Sequence, residues 1–328
     1  MTRAKARRSR PATAITTFLL DCILLAPVAI AAVLLKSVRR MGLHRLSLCR
    51  RVLTRIGVLP VRRHYYEPFF DETTLRRPLN TDRVLPGIDW NASEQLALLD
   101  SFRHAGELAP FATQRQDESS FYIQNTQFGP GDAEFLYQLI RLKKPSLMIE
   151  VGSGNSTLIA REALSRNHAE NGAERAPRHI CIEPFEAPWL EKIGVATVRT
   201  RLEDVDRALF QELRANDILF IDSTHMIRPQ GDVVTEYLEI IPTLQPGVIV
   251  HIHDIFTPKD YPSYWVLQMM RLWNEQYLLE AFLTHNRSWK IIGALNYLYH
   301  HHRGPLKNAC PFLMDNRQPG SFYIQRIA

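Results

Sequence analysis

Between the apolar run Met148-Ile149-Glu150-Val151 and the helix-forming Leu158-Ile159-Ala160 stands Gly152-Ser153-Gly154-Asn155-Ser156-Thr157. A buried strand that breaks on two glycines and restarts as a helix aims bare backbone N–H groups at a nucleotide-like ligand. Such a turn needs glycine for φ > 0 whether or not anything binds, so other strand ends must decide. Two of them carry groups suited to proton or metal chemistry. Asp222-Ser223-Thr224-His225 follows the apolar Ile218 to Ile221, and His253-Asp254 follows Val248 to Ile252. Oxygen and nitrogen donors from Asp222, His253 or Asp254 can hold a magnesium-like divalent ion that lowers a hydroxyl pKa. Without a metal, His225 or His253 suits a general base, because imidazole titrates near neutral pH.

These residues need a frame. After Gly131-Asp132 a helical pattern through Phe135, Leu136, Leu139 and Ile140 ends at Lys143-Lys144-Pro145, and from there apolar strands alternate with helices. The strand candidates are Leu147 to Val151, His179 to Ile182, Ala196 to Val198, Ile218 to Ile221, Val248 to Ile252, Trp289 to Ile292 and Phe322 to Ile327. Seven strands with intervening helices predict an α/β fold: an open, mostly parallel, doubly wound sheet with helices on both faces. Ligands of such sheets bind beyond the carboxyl ends of the strands, where the turn, Asp222, His225, His253 and Asp254 all fall.

The chain has 328 residues, 23% charged and 45% apolar, an ordinary globular balance with room for one large domain and an extension. Its net charge of +6 suggests a nucleic-acid or anionic-membrane partner until the cations are located. Arg3, Lys5, Arg7, Arg8 and Arg10 precede an apolar stretch, and Lys36, Arg39, Arg40, Arg45, Arg50, Arg51, Arg55, Arg62 and Arg63 follow it. They exceed the whole excess. The remainder is mildly acidic and has no basic stripe, which argues against nucleic acid. Cys22, Cys49, Cys181 and Cys310 are widely spaced and include no Cys-x-x-Cys pair, so they read as reduced structural thiols.

From Ala14 to Leu35 the chain is apolar apart from Asp21, Thr16 and Thr17, with Pro27 as its one helix breaker. At about 1.5 Å per residue the stretch reaches the roughly 30 Å of a hydrocarbon core. It is expected to anchor the chain in a membrane, as a single span or in the plane of the interface. Ala29-Ile30-Ala31 resembles a signal-peptidase site, but the basic block that follows opposes translocation. The bias favours a globular part on the cytoplasmic side of the cytoplasmic membrane. Residues 36–63 read as a basic juxtamembrane helix able to lie on anionic lipid. Residues 64–118 read as an aromatic-rich extension, with Ser93 capping a helix from Glu94 to Phe102, and residues 119–328 as the α/β domain.

The strand ends carry a specific likeness. Glu150-Val151-Gly152-Ser153-Gly154-Asn155-Ser156-Thr157 resembles the first motif of class I S-adenosylmethionine-dependent methyltransferases, and Cys181-Ile182-Glu183-Pro184 resembles that family's second strand. Ile218 to His225 resembles its fourth strand, and Leu244 to Asp254, with Pro246-Gly247, its fifth. The combination is similar to a bacterial branch with an Asp-x-x-His motif and a His-Asp pair. The likeness covers about residues 119–328.

It implies a Rossmann-like domain that binds S-adenosyl-L-methionine. Glu183 would hold the ribose diol, Gly152, Ser153 and Gly154 the amino-acid half, and Glu150 would order the turn or bind the ammonium. Ser156 and Thr157 open the next helix as contacts or caps, Asp204 would reach the adenine, and Asp222 would approach the methyl group. Asp222, His225, His253 and Asp254 form the expected catalytic set. Ser156 stands where many members have a third glycine, and a polar loop at 167–178 lengthens the path to Glu183. Tyr261, Tyr264 and Trp265 fall where the acceptor is expected, while His251 reads as a packed strand residue and His300 to His302 as a solvated helix end. The expected function is O-methylation of a small molecule or lipid-linked glycan at the membrane face. A non-catalytic scaffold docked on the membrane is the competing class. A nicotinamide-dependent oxidoreductase also uses a glycine turn and a distal acid, but leaves Asp222, His225 and His253-Asp254 without a task.

Overall fold

The computed structural model describes residues 11–112, 117, 119–172 and 176–328. The basic leader at 1–10 and part of the polar loop, 173–175, lie outside the described residues. Seven apolar runs form strands: β1 Leu147–Val151, β2 Arg178–Ile182, β3 Ala196–Val198, β4 Ile218–Ile221, β5 Ile249–Ile252, β6 Trp289–Ala294 and β7 Phe322–Arg326. They make one sheet in the order β3-β2-β1-β4-β5-β7-β6. The first five are parallel, and β7 runs antiparallel to β5 and β6. The mostly parallel α/β architecture read from the sequence is therefore the one observed.

Because side chains alternate along a strand, each central strand feeds two cores. Met148, Ile218 and Phe220 join Phe135, Leu139 and Ile159 on one face. Ile149, Leu219, Ile221 and Val250 join Val233, Tyr237 and Leu279 on the other. The first core is covered by α4 Asp132–Lys143 and α5 Asn155–Asn171. Part of the second is supplied by α6 Asp232–Thr235, which widens into a π-turn over Glu236–Ile240, and by α7 Glu275–Leu283.

The chain divides into two compact units, residues 1–76 and 77–328. Residues 77–112, grouped with 64–76 in the sequence, belong to the second unit: Leu99, Phe102 and Leu108 enter the first core. Glu107 binds the buried guanidinium of Arg141, with its Oε2 2.9 Å from Nε. The helix α3 Ala92–Ser101 starts after Asn91, held at φ +48°, so Ser93 lies inside the first turn and does not cap it.

In the first unit α1 Pro11–Met41 continues through Pro27, and α2 Ser47–Ile56 follows a turn. The single helix expected over 36–63 is thus three pieces: the end of α1, α2, and an irregular stretch. Gly42 at φ +95° and Gly57 at φ +82° make the breaks, in the left-handed region that favours glycine. Within α1, Ile15–Met41 contains an 18-residue window of mean hydropathy 2.6, none of it buried, long and apolar enough to cross a bilayer. Arg39 and Glu67 close this unit with a bidentate pair, 2.8 and 3.0 Å.

Candidate functional site

The glycine turn is built around one contact. Gly152 adopts φ +77°, and a Cβ there would stand 2.0 Å from the carbonyl oxygen of Asp222. Only glycine lets the β1 and β4 ends approach so closely. Gly154 faces open space, and Thr157 Oγ1 accepts the N–H of Gly154 at 3.0 Å to start α5. Glu150 lies beneath the turn, fully buried. Its Oε1 accepts the hydroxyl of Ser156, and its Oε2 lies 3.1 Å from His179 Nε2 and 3.6 Å from Cys181 Sγ. Of the two tasks expected of Glu150, this geometry serves ordering the turn.

Glu183, at the end of β2, sits beside the turn. Its Oε2 accepts the N–H of Ser153 at 3.3 Å, and Oε1 accepts those of Phe185 and Glu186 at 2.9 and 2.8 Å. Three bonds leave lone-pair capacity on a carboxylate, and the group lines a cleft of about 1110 Å3. Gly152, Ser153, Gly154, Ser156, Asp222, His225, His253 and Asp254 line the same cleft. Asp204 does not. It is exposed at the end of a short 3-10 turn, Leu202–Asp204, whose other members Leu202 and Glu203 form the wall instead. At about three residues per turn, the 3-10 segment sends the Leu202, Glu203 and Asp204 side chains in different directions, and that of Asp204 away from the cleft.

At the far end of the cleft the β4 and β5 ends converge. Nε2 of His225 lies 3.2 Å from Asp222 Oδ1 and 3.7 Å from Asp254 Oδ2. His225 and Asp254 both adopt positive φ, +59° and +56°, a conformation non-glycine residues keep only where their surroundings impose it. The backbone of Asn274 and Glu275 imposes it here, both N–H groups donating to the His225 carbonyl at 3.0 and 3.3 Å. Thr224 is fixed in turn by Asp232, which accepts its N–H at 3.0 Å and its hydroxyl at 2.7 Å.

Behind His225 is a residue the sequence did not single out: Glu275, fully buried, with Oε2 2.8 Å from Nδ1. Burial alone would lower the His225 pKa, but its bonds to Asp222 and Glu275 outweigh that and hold it well above the ordinary value. Burial would raise Asp222, yet His253 and His225 pull it down to about 2. Asp254 is raised by burial and by the charge of Asp222. Glu236, next to Glu275 in the second core, is pushed well above the usual carboxylate range by burial and by that neighbour's charge. The only sequence signal for Glu275 was an acid opening an apolar helix, which also describes an ordinary helix start.

The three ligand atoms that Asp222, His225 and Asp254 can offer all lie within 4.8 Å of one another. The sequence-based metal set of Asp222, His253 and Asp254 is therefore amended. His253 is not in that group; its Nε2 stands 3.6 Å from Asp254 Oδ1 and its Nδ1 3.5 Å from Ser321 Oγ. Burial lowers the His253 pKa, and Asp254, Asp222 and Asp132 raise it further than burial lowers it. Asp132 is a second unforeseen member, its Oδ1 accepting the N–H groups of Gly320 and Ser321 at 2.9 Å each. His251 is packed inside the sheet, stacked on Phe220 at 4.0 Å.

His253, Asp254 and Trp265 also line an adjoining chamber of about 390 Å3 with Asn80, Tyr261 and Gln318. Tyr264 is mostly exposed and lines neither space. Trp273 covers His225, ring centres 4.3 Å apart, and Arg271 lies over Trp273 and Trp265 at 4.1 and 4.5 Å.

Residues 149–255 match a family model described as a methyltransferase domain. The glycine turn, the acid of β2 and the strand order lie where the resemblance read in the sequence expects them, and the matched segment carries a methyltransferase domain. An uncharacterized protein of Archaeoglobus fulgidus is 28% identical over 169 residues, 47% of this chain and 74% of its own length. Among solved structures, the O-methyltransferase TomG of Streptomyces achromogenes, involved in tomaymycin synthesis and bound to SAM, is 13% identical with a TM-score of 0.37. That match covers 73% of this chain and 97% of the other. An O-methyltransferase of Bacillus cereus in complex with SAH is 11% identical, TM-score 0.35, covering 72% and 91%. Neither structural likeness carries the functional reading, which rests on the matched segment and the geometry of the cleft.

Proposed function

We propose that this protein transfers a methyl group from S-adenosylmethionine to a hydroxyl of a small molecule or lipid-linked glycan at the cytoplasmic face of a membrane. One observation carries the reading: the Gly152–Gly154 turn and Glu183 line the same cleft as Asp222, His225 and Asp254. Glu183 holds the ribose diol, the turn admits the amino-acid half of the cofactor, and the cleft leads its methyl group toward the β4 and β5 ends.

Methyl transfer is an in-line displacement. The new O–CH3 bond forms as the S–CH3 bond breaks, and the sulfonium leaves as a neutral thioether. Protein groups have to orient the acceptor and remove its proton. The His253 and Asp254 pair, at the junction of cleft and chamber, receives that proton. Asp222, His225 and Asp254 fit a divalent ion by donor type and spacing, with Glu275 fixing the histidine as second partners of metal-bound imidazoles do. Such an ion would supply Lewis-acid lowering of the hydroxyl pKa. The acceptor chamber carries amides and aromatic rings, Asn80, Gln318, Tyr261 and Trp265, which suit a hydroxyl-rich ring. Membrane attachment is supported by the length and composition of α1, and the side by the excess of cations after it.

The test is calorimetry of the full chain with S-adenosylhomocysteine, followed by transfer of labelled methyl groups to membrane glycolipid extracts with and without chelator. Binding and label in the extract support the reading. Absence of nucleoside binding by folded protein would favour the scaffold.

A further inference from the structure

The short helix α2 has no place in methyl transfer, yet its surface is sharply divided. None of its residues is buried. At about 3.6 residues per turn, Leu48, Cys49, Val52, Leu53 and Ile56 fall on one side, while Arg50, Arg51, Thr54 and Arg55 fall on the other. Leu48, Val52 and Ile56 are 71%, 56% and 68% exposed. Gly57 ends the helix cleanly, its N–H donating to Leu53 and Thr54 carbonyls at 2.9 and 3.3 Å. The apolar face is therefore a complete surface of a discrete helix.

We propose that α2 is an in-plane membrane helix that docks on an anionic bilayer, its leucine, valine and isoleucine side chains entering the boundary between headgroups and acyl chains. Two observations select this occupant. The arginines beside the apolar face complement phospholipid anions, the composition expected of interfacial helices. The helix also begins six residues after Met41, the end of a segment long and apolar enough to span, so a bilayer is the nearest apolar phase available to it. Past α2, Val58, Leu59, Tyr65 and Tyr66 are also exposed, and tyrosine is a residue type that concentrates at the headgroup level. This inference stands apart from the catalytic reading: it survives if no methyl is transferred, and fails independently of it.

Cys49 offers a probe on the apolar face. Cys181 and Cys310 are buried, so in a Cys22→Ser full-length chain an environment-sensitive fluorophore attaches at Cys49 alone. Reconstituted into phosphatidylglycerol-rich bilayers, the label should emit at shorter wavelength and be quenched by lipids brominated near the glycerol end of the acyl chain. In phosphatidylcholine alone the blue shift should be smaller. Reversing charge with Arg50→Glu, Arg51→Glu and Arg55→Glu together should abolish the difference between the two lipids. Water-like emission in phosphatidylglycerol overturns the proposal. So does a shift that the reversal leaves unchanged, or a shift in phosphatidylglycerol that the brominated lipids do not quench, since a protein partner or second copy would then cover the face.

Discussion

Oε2 of Glu275 lies 2.8 Å from Nδ1 of His225, with Glu275 fully buried behind the imidazole and His225 itself bordering the cleft. A carboxylate only accepts, so Nδ1 carries a proton, and Nε2 is the nitrogen presented to Asp222 and Asp254. The orientation of the one imidazole shared by both strand ends thus depends on a residue outside the matched segment.

Replacing Glu275 by Gln should lower turnover by about tenfold or more while leaving S-adenosylhomocysteine affinity within about twofold, because nothing in the nucleoside half of the cleft touches it. Glu275→Ala should in addition cost about 1 to 3 kcal/mol of stability by orphaning a buried imidazole nitrogen. Steady-state kinetics, calorimetry and melting of both variants check this. Equal loss of nucleoside binding would show that Glu275 merely supports the fold.

The two glycines of the turn should behave differently. Gly152→Ala forces a Cβ against the Asp222 carbonyl at a strained φ and should destabilise by about 2 kcal/mol or more. Gly154 is extended and faces open space, so Gly154→Ala should change stability by no more than about 0.5 kcal/mol. It should nonetheless weaken nucleoside binding, since the added methyl enters the cleft. Melting curves and calorimetry on the pair separate the two effects.

Glu183 combines a structural and a binding role. Glu183→Gln keeps an acceptor for the backbone N–H groups but loses charge-assisted bonds to a diol, and should reduce S-adenosylhomocysteine affinity by roughly tenfold or more. A 2′-deoxy analogue should discriminate further, with wild type losing affinity for it and the variant losing little. Unchanged affinity of the variant for the normal nucleoside would remove Glu183 from the site.

Glu134 gives a pH signature away from the cleft. Burial pushes its carboxyl up to about 7, against the N–H groups of Phe312 and Gly131 that favour the ionised form. The folded state then binds a proton that the unfolded state has released, so this contribution is full below about 4.5 and lost as pH rises through about 7. Wild-type melting temperature should fall between about pH 5 and about pH 8 by more than that of Glu134→Gln, whose side chain does not titrate. Parallel melting profiles would assign the slope to other groups.

The sheet was legible because its strands are short, predominantly apolar runs bounded by charges and turn residues, a pattern that depends on no partner. Asp222 and Asp254 were legible for the same reason, as each is the first acid after such a run. Glu275 and Asp132 were not, because an acid at a helix start is ordinary, and only the return of the chain past β4 and β5 gives either one a partner. The outward place of Asp204 was not legible: a 3-10 turn sets which of three adjacent side chains face the cleft, and helix-start chemistry does not specify that. The helix at 36–63 failed at Gly42 and Gly57, whose positive φ outweighs a continuous run of arginines and aliphatics.

β7 lies between β5 and β6 although its residues follow both in sequence. On a ribosome, β5 therefore waits with a bare edge until residues 322–326 emerge, whereas β1 to β4 can already be zipped together. Gly320 and Ser321, which bind Asp132, arrive with the same segment. The side of the cleft formed by the glycine turn and Glu183 can take shape before residues 316–326 are made, but the chamber beside Asp254, lined by Asn316, Arg317, Gln318 and Gly320, has to await them, and until then an unpaired strand is open to neighbouring nascent chains.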